Sequence, residues 1–130
     1  MEKIIDKLIL LIGGIVTLLG GYDVALKSLI IIIVIDYLTG ICSAIYNKKL
    51  SSKVGLKGII KKVAYLGVVA LACVLDNLTG TNGIIRTLII YFFIANDGLS
   101  IIENLAEMNI KLPKKLTEVL EQLKKDKGVR

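Results

Sequence analysis

Long runs of Ile, Leu and Val with few charges between them are the feature that most limits what this chain can become. Val24–Tyr46 contains the unbroken apolar run Leu29–Ile35. Ile59–Leu78 is uncharged from Val63 to Leu75, and Ile84–Ile102 has Thr87–Ala95 as its apolar centre. A hydrocarbon layer of about 30 Å takes roughly 20 helical residues at ~1.5 Å each. These three stretches meet that length, and Ile4–Gly21, at 18 residues, is marginal. The abundance of β-branched residues does not argue for strands, because backbone groups in lipid must pair within a helix or a closed barrel. The alternating ten-residue segments of a barrel are absent from the sequence.

Composition supports the same class. The chain has 130 residues, is 55% hydrophobic and has a mean hydropathy of +0.74, with an aromatic share of 5%. A soluble body of this size has too much surface for its volume to hide that much apolar material. Disorder is excluded by the same numbers, and two Cys exclude a disulfide-stapled module. Cys42 and Cys73 lie far apart within apolar runs and read as small lipid- or core-facing residues.

Polar breaks divide the stretches. Gly20-Gly21-Tyr22-Asp23 is a tight turn, Asn47–Gly58 a Lys- and Ser-rich loop, and Asp76–Gly83 a turn-prone segment. Pro113 suits the first turn of a further helix, in which Leu116, Val119, Leu120 and Leu123 recur at helical spacing. That amphipathic helix can pack on its own domain, lie on anionic lipid, or bundle with its copies. The predicted fold is all-α. A membrane domain spans residues 1–108, with helices at about 4–21, 24–46, 59–78 and 84–107, and a basic tail spans 109–130. Four membrane helices are expected, with three as the alternative should the first stretch not cross. That first stretch does not read as a cleaved signal peptide, since no small-x-small cleavage pattern follows it.

Lys48, Lys49, Lys53, Lys57, Lys61 and Lys62 follow the second stretch with no acid among them. Lys111, Lys114, Lys115, Lys124, Lys125, Lys127 and Arg130 follow the fourth, whereas Gly80–Gly83 is uncharged. The positive-inside rule places this basic loop and the C-terminus in the cytoplasm. The pI of about 9.3 is accounted for by attraction of these flanks to anionic headgroups. Nucleic-acid binding is not expected, because aromatic and basic residues do not interleave. No cofactor motif is present, zinc ligands are lacking, and without His there is no side chain that titrates near neutrality unperturbed. Neither an enzyme nor a small-molecule substrate is expected.

The informative residues are polar ones placed where lipid should be. A charge at mid-helix costs about 2.5–3.5 kcal/mol on insertion scales and calls for a partner, a bundle interior or water. Asp36, Thr39, Gly40 and Ser43 form a stripe on the second helix, and Gly40 with Ala44 gives a small-xxx-small pair. Gly13, Thr17 and Gly21 give the first helix a small face for packing. On the fourth, Arg86, Asp97, Ser100 and Asn104 lie close to one face, flanked by Asn96, Glu103 and Glu107. Asp36 or Asp97 is expected to pair with Lys61 or Lys62, and Asp23, Lys27, Asp76 and Arg86 to gather near the other end. Such charges can hold a single bundle together, or line an oligomer interface or a water-filled lesion. A proton relay through Asp36 and Asp97 has less support, since no inverted repeat or broken-helix pair occurs.

The stretch Asp36-Tyr37-Leu38-Thr39-Gly40 through Lys57-Gly58 resembles the signature of the toxin-secretion/phage-lysis holins. So do Ala95-Asn96-Asp97-Gly98-Leu99-Ser100 through Asn104, and Leu112-Pro113-Lys114-Lys115-Leu116. The likeness runs from about Ile30 to Leu123; family members usually carry Asn-Glu where this chain has Asn96-Asp97. The resemblance implies a protein that oligomerises in the bacterial cytoplasmic membrane and opens lesions that release an endolysin or a large toxin. Implied partners are the lipid bilayer, further copies of the chain, and an antiholin. A small selective ion channel or transporter subunit, or an antiholin-like membrane regulator, are the alternatives.

Overall fold

The computed structural model describes residues 1–128, with side chains through Lys124; the Lys125, Lys127 and Arg130 side chains of the basic tail lie outside the described residues. The described chain is all-helical: α1 Glu2–Leu18, α2 Val24–Tyr46, α3 Ser52–Thr79, α4 Ile84–Glu107 and α5 Lys114–Gly128. Three of these, α2, α3 and α4, are long and apolar enough to cross a membrane.

Local chemistry sets the helix ends. Asp23 caps α2 by accepting from the Leu26 N–H at 2.9 Å. The Ser51 hydroxyl accepts from the Val54 N–H at 3.2 Å, so α3 begins two turns before the predicted 59. Ser52–Gly58 is therefore helix, and the polar loop shortens to a few residues around Lys48, which adopts positive φ. α1 stops at Leu18, three residues short of the expected end. Gly20 and Gly21 follow with φ of +93° and +97°, a region that β-carbons disfavour. Gly21 thus lies beyond the face it was expected to share with Gly13 and Thr17.

α4 is the axis of the bundle. It packs most closely on α2, then on α5 and α3, while α2 and α3 touch little. Leu26, Leu29, Val69 and Ile90 are fully buried between them, beside the stacked rings of Tyr65 and Phe93, whose centroids are 4.1 Å apart. Gly55 and Gly58, one turn apart, admit the Tyr37 ring against α3, and the Tyr37 hydroxyl donates to the Gly55 carbonyl at 3.2 Å. α1 buries none of its residues. No side chain of another element approaches a β-carbon placed at Gly13, and the Thr17 hydroxyl donates to the Gly13 carbonyl of its own helix.

α5 folds back antiparallel along α4. Leu120 covers Gly98, and the Lys124 ammonium lies 5.3 Å from the Phe92 ring centroid. Leu120 and Leu123 are half-buried, whereas Leu116 and Val119 remain exposed, so only part of the predicted apolar stripe is covered. A β-carbon at Gly98 would come within 2.8 Å of Leu120. Gly98→Leu is expected to lever α5 off α4 while leaving α2–α4 packed. Limited proteolysis should then cut within 114–124 at least tenfold faster than in the wild type, with helix content by circular dichroism little changed.

Candidate functional site

The polar residues of α2, α3 and α4 converge in two layers. Along α2 these lie 13 residues apart, at Asp23 and Asp36, or roughly 20 Å at ~1.5 Å per residue.

The inner layer centres on Lys62 of α3. Its ammonium pairs with the Asp36 carboxylate of α2 and, at 2.8 Å, with Asp97 of α4. Asp97 is 1% exposed and Asp36 6%. One lysine thus joins three helices that apolar contact alone would hold weakly, because lipid tails compete equally well for Ile and Leu. Asn104 donates to the Asp36 carboxylate at 3.2 Å and to the Thr39 hydroxyl at 3.0 Å. Further along, the Ser43 hydroxyl donates to Glu107 at 2.5 Å, and Asn47 reaches the Glu107 carbonyl at 3.4 Å. The Asn96 amide donates to the Tyr65 hydroxyl at 3.3 Å. The α2 and α4 stripes therefore meet each other within one subunit.

The outer layer is built around Arg86. Its guanidinium donates to Asp23 at 2.8 and 3.1 Å and to the carbonyls of Leu19 (2.6 Å) and Gly21 (3.1 Å). The arginine crosses Gly20 so closely that a β-carbon there would overlap it. Asp76 accepts from the N–H groups of Ile85 and Arg86, both at 2.9 Å, and from the Thr81 hydroxyl at 2.5 Å. It supplies the side-chain cap that Gly83 cannot give α4. Among the described residues, no buried side-chain nitrogen or oxygen lacks a hydrogen-bond partner.

Of the expected pairings, Lys62 takes both acids, while Lys61 is exposed. Arg86 joins Asp23 and gives its N–H to Asp76, as expected of that outer group, whereas Lys27 stays exposed. Ser100 is half-buried on the inner side of α4, Gly40 and Ala44 are half-buried on α2, and Glu103 is exposed. Lys48, Lys49, Lys53 and Lys57 are exposed around the α2–α3 connection. Cys42 is exposed and Cys73 half-buried. The roles of Asp76 as a cap and of Asn104 and Glu107 as partners of α2 escaped the sequence reading. Asp76 was legible as a member of the outer charged group but not as the cap of α4, although Thr81 five positions on hints at the closure it makes.

Removing Lys62 strands two buried acids. Lys62→Met should cost about 3–5 kcal/mol, the range for breaking a buried ion pair from one side. Asp97→Asn, which keeps the Lys62–Asp36 pair, should cost about 1 kcal/mol. Reversible unfolding in mixed detergent micelles checks both. At the outer layer, the hydrogen bonds from Arg86 hold the exposed Asp23 carboxyl below the usual carboxylate range. The stability it lends is complete above its unfolded value of about 3.9 and is lost as pH falls further through the lowered folded value. The α1–α2 turn should therefore loosen only below about pH 4. Asp23→Asn should remove that acid dependence in amide-exchange measurements on the turn.

The bacteriophage holin family profile matches residues 13–125. A 14.9 kDa Clostridium perfringens protein encoded in the nagH 3′ region is 41% identical over 98% of this chain and 100% of its own length. A Listeria monocytogenes protein, Lmo0128, is 40% identical over 92% of the chain and 86% of its own length. The probable holin of Bacillus phage phi105 is 34% identical over 78% of the chain and 75% of its length. No solved structure matches. With most of its length matched to the family profile, and three helices fit to cross a membrane, the chain belongs to the bacteriophage holin family.

Proposed function

We propose that the chain acts as the lesion-forming holin of a lysis or protein-release system. It accumulates in the bacterial cytoplasmic membrane as a packed subunit, then assembles with its copies into openings wide enough for an endolysin or another large protein. The family is one of membrane pore formers, not enzymes. The observation that carries the reading is the mutual engagement of the α2 and α4 stripes: Asp36, Thr39 and Ser43 are bonded to Asn104 and Glu107 within one subunit. Each of these bonds can be exchanged for the same bond to a neighbouring copy, or for water. Polar contacts between membrane helices average about 0.6 kcal/mol, so the stored and assembled arrangements differ by little.

In this reading the α2–α3 loop and the α4–α5 connection with Lys111 face the cytoplasm, as their lysines favour, and the C-terminus reaches the cytoplasm when α5 leaves α4. α1 crosses as a fourth, short span, its apolar exterior satisfied by lipid. An antiholin regulates assembly by competing for the exchanged polar bonds.

Induced expression with a membrane-potential dye and an assay for a cytosolic enzyme in the medium tests the proposal. Abrupt depolarisation accompanied by enzyme release is expected. Cells that stay polarised at high expression would defeat it, and ion flux without enzyme release would indicate a selective channel instead. Asp97→Asn, which weakens the joint between α3 and α4, should shift the onset of lysis at equal protein level; unchanged timing would remove the triad from the mechanism.

A further inference from the structure

Two clefts run into the bundle from the side of the α2–α3 loop. The wider, about 480 Å³, is lined by Ser43, Asn47, Lys49 and Glu107. The narrower, about 210 Å³, is lined by Asp36, Lys61, Lys62, Ser100 and Asn104. Both share Gly40 and Val54 as walls, so they adjoin along one open groove. Along α2, from Asn47 to Asp36, it covers 11 residues, or roughly 16 Å. That is about half of a ~30 Å hydrocarbon layer.

The groove ends at the ion-pair triad. Beyond lie Leu26, Leu29, Val69 and Ile90, each 0% exposed, and the Tyr65–Phe93 stack. This apolar plug separates the inner triad from the outer Arg86 cluster. A cavity holds water when it offers at least a probe-sized volume and two to four polar partners per molecule, and this one offers both. Water at its inner end also lowers the cost of keeping two carboxylates and one ammonium in a membrane interior.

We propose that α2, α3 and α4 line a one-sided aqueous vestibule, open beside the α2–α3 loop and closed at Lys62 by the apolar plug. Its ligands are water and small hydrophilic solutes. Each packed subunit thereby already holds about half of a water path before any assembly. The inference rests on α2–α4 crossing the bilayer, and it is independent of lesion formation.

The test is thiol accessibility of the full chain in vesicles that retain an entrapped small dye, in a Cys42→Ser/Cys73→Ser background. Ser100→Cys and Gly40→Cys each place a thiol in the vestibule. Both substitutions fit, since a hydroxyl becomes a thiol at Ser100 and a β-carbon at Gly40 stays 3.6 Å from the nearest side chain, Asn104. Val34→Cys places one on the exposed α2 surface, and Lys48→Cys and Asn82→Cys mark the two ends of α3. A small charged methanethiosulfonate, added on the side that labels Lys48→Cys, should modify both vestibule thiols at least tenfold faster than Val34→Cys. Added on the side that labels Asn82→Cys, it should modify them no faster than Val34→Cys. Vestibule thiols as slow as Val34→Cys from the loop side, or reactive from the Asn82 side, would overturn the vestibule. Labelling of Lys48→Cys and Asn82→Cys from one and the same side would defeat the spanning arrangement and the vestibule with it.

Discussion

The structure depends on a lysine held between two aspartates. In water, apolar helices associate because water expels them; in lipid that force is absent, and specific contacts must hold the bundle. Lys62 provides the tie at the point where α2, α3 and α4 come together. α2 and α3 barely touch elsewhere, so α3 relies on this joint, on the Tyr37–Gly55 hydrogen bond and on the Tyr65–Phe93 stack. A bundle tied at so few points owes its packing to a small number of specific side chains.

The outer layer answers a different problem. Three helix ends and the α1–α2 turn meet there, each with backbone groups lacking a helical partner. Asp76 takes two N–H groups of α4, Asp23 takes one of α2, and Arg86 takes two carbonyls from the turn. Charge here settles backbone hydrogen bonding at one level, so that α2, α3 and α4 begin or end together.

Much of this was legible from the residues. Apolar length gave α2 and α4 their bounds, and the lysine pattern with the lone acids gave the inner pairing to within one residue, Lys61 or Lys62. Asp36, Thr39 and Ser43 of the α2 stripe meet Asn104 and Glu107 of α4, but periodicity describes one helix at a time. It could not tell that Asn104 answers Asp36 and Glu107 answers Ser43, because those contacts depend on how deeply one helix sits beside the other. The start of α3 was misplaced because lysines look like loop, although Ser51 before a run of helix-compatible residues is a capping signal. Angular position put Arg86 on the Asp97 stripe of α4, but its expected gathering with Asp23 and Asp76 is the one that forms, because eleven residues of rise separate Arg86 from Asp97.

α1 stands apart from all of this. None of its residues is buried, and it joins the rest through the Leu19–Gly21 turn, where Arg86 holds the carbonyls of Leu19 and Gly21. Nothing in the bundle core reads its side chains. Within an apolar composition its side chains are therefore free to vary, and its start to lengthen or carry a fused tag, without disturbing the fold of the bundle.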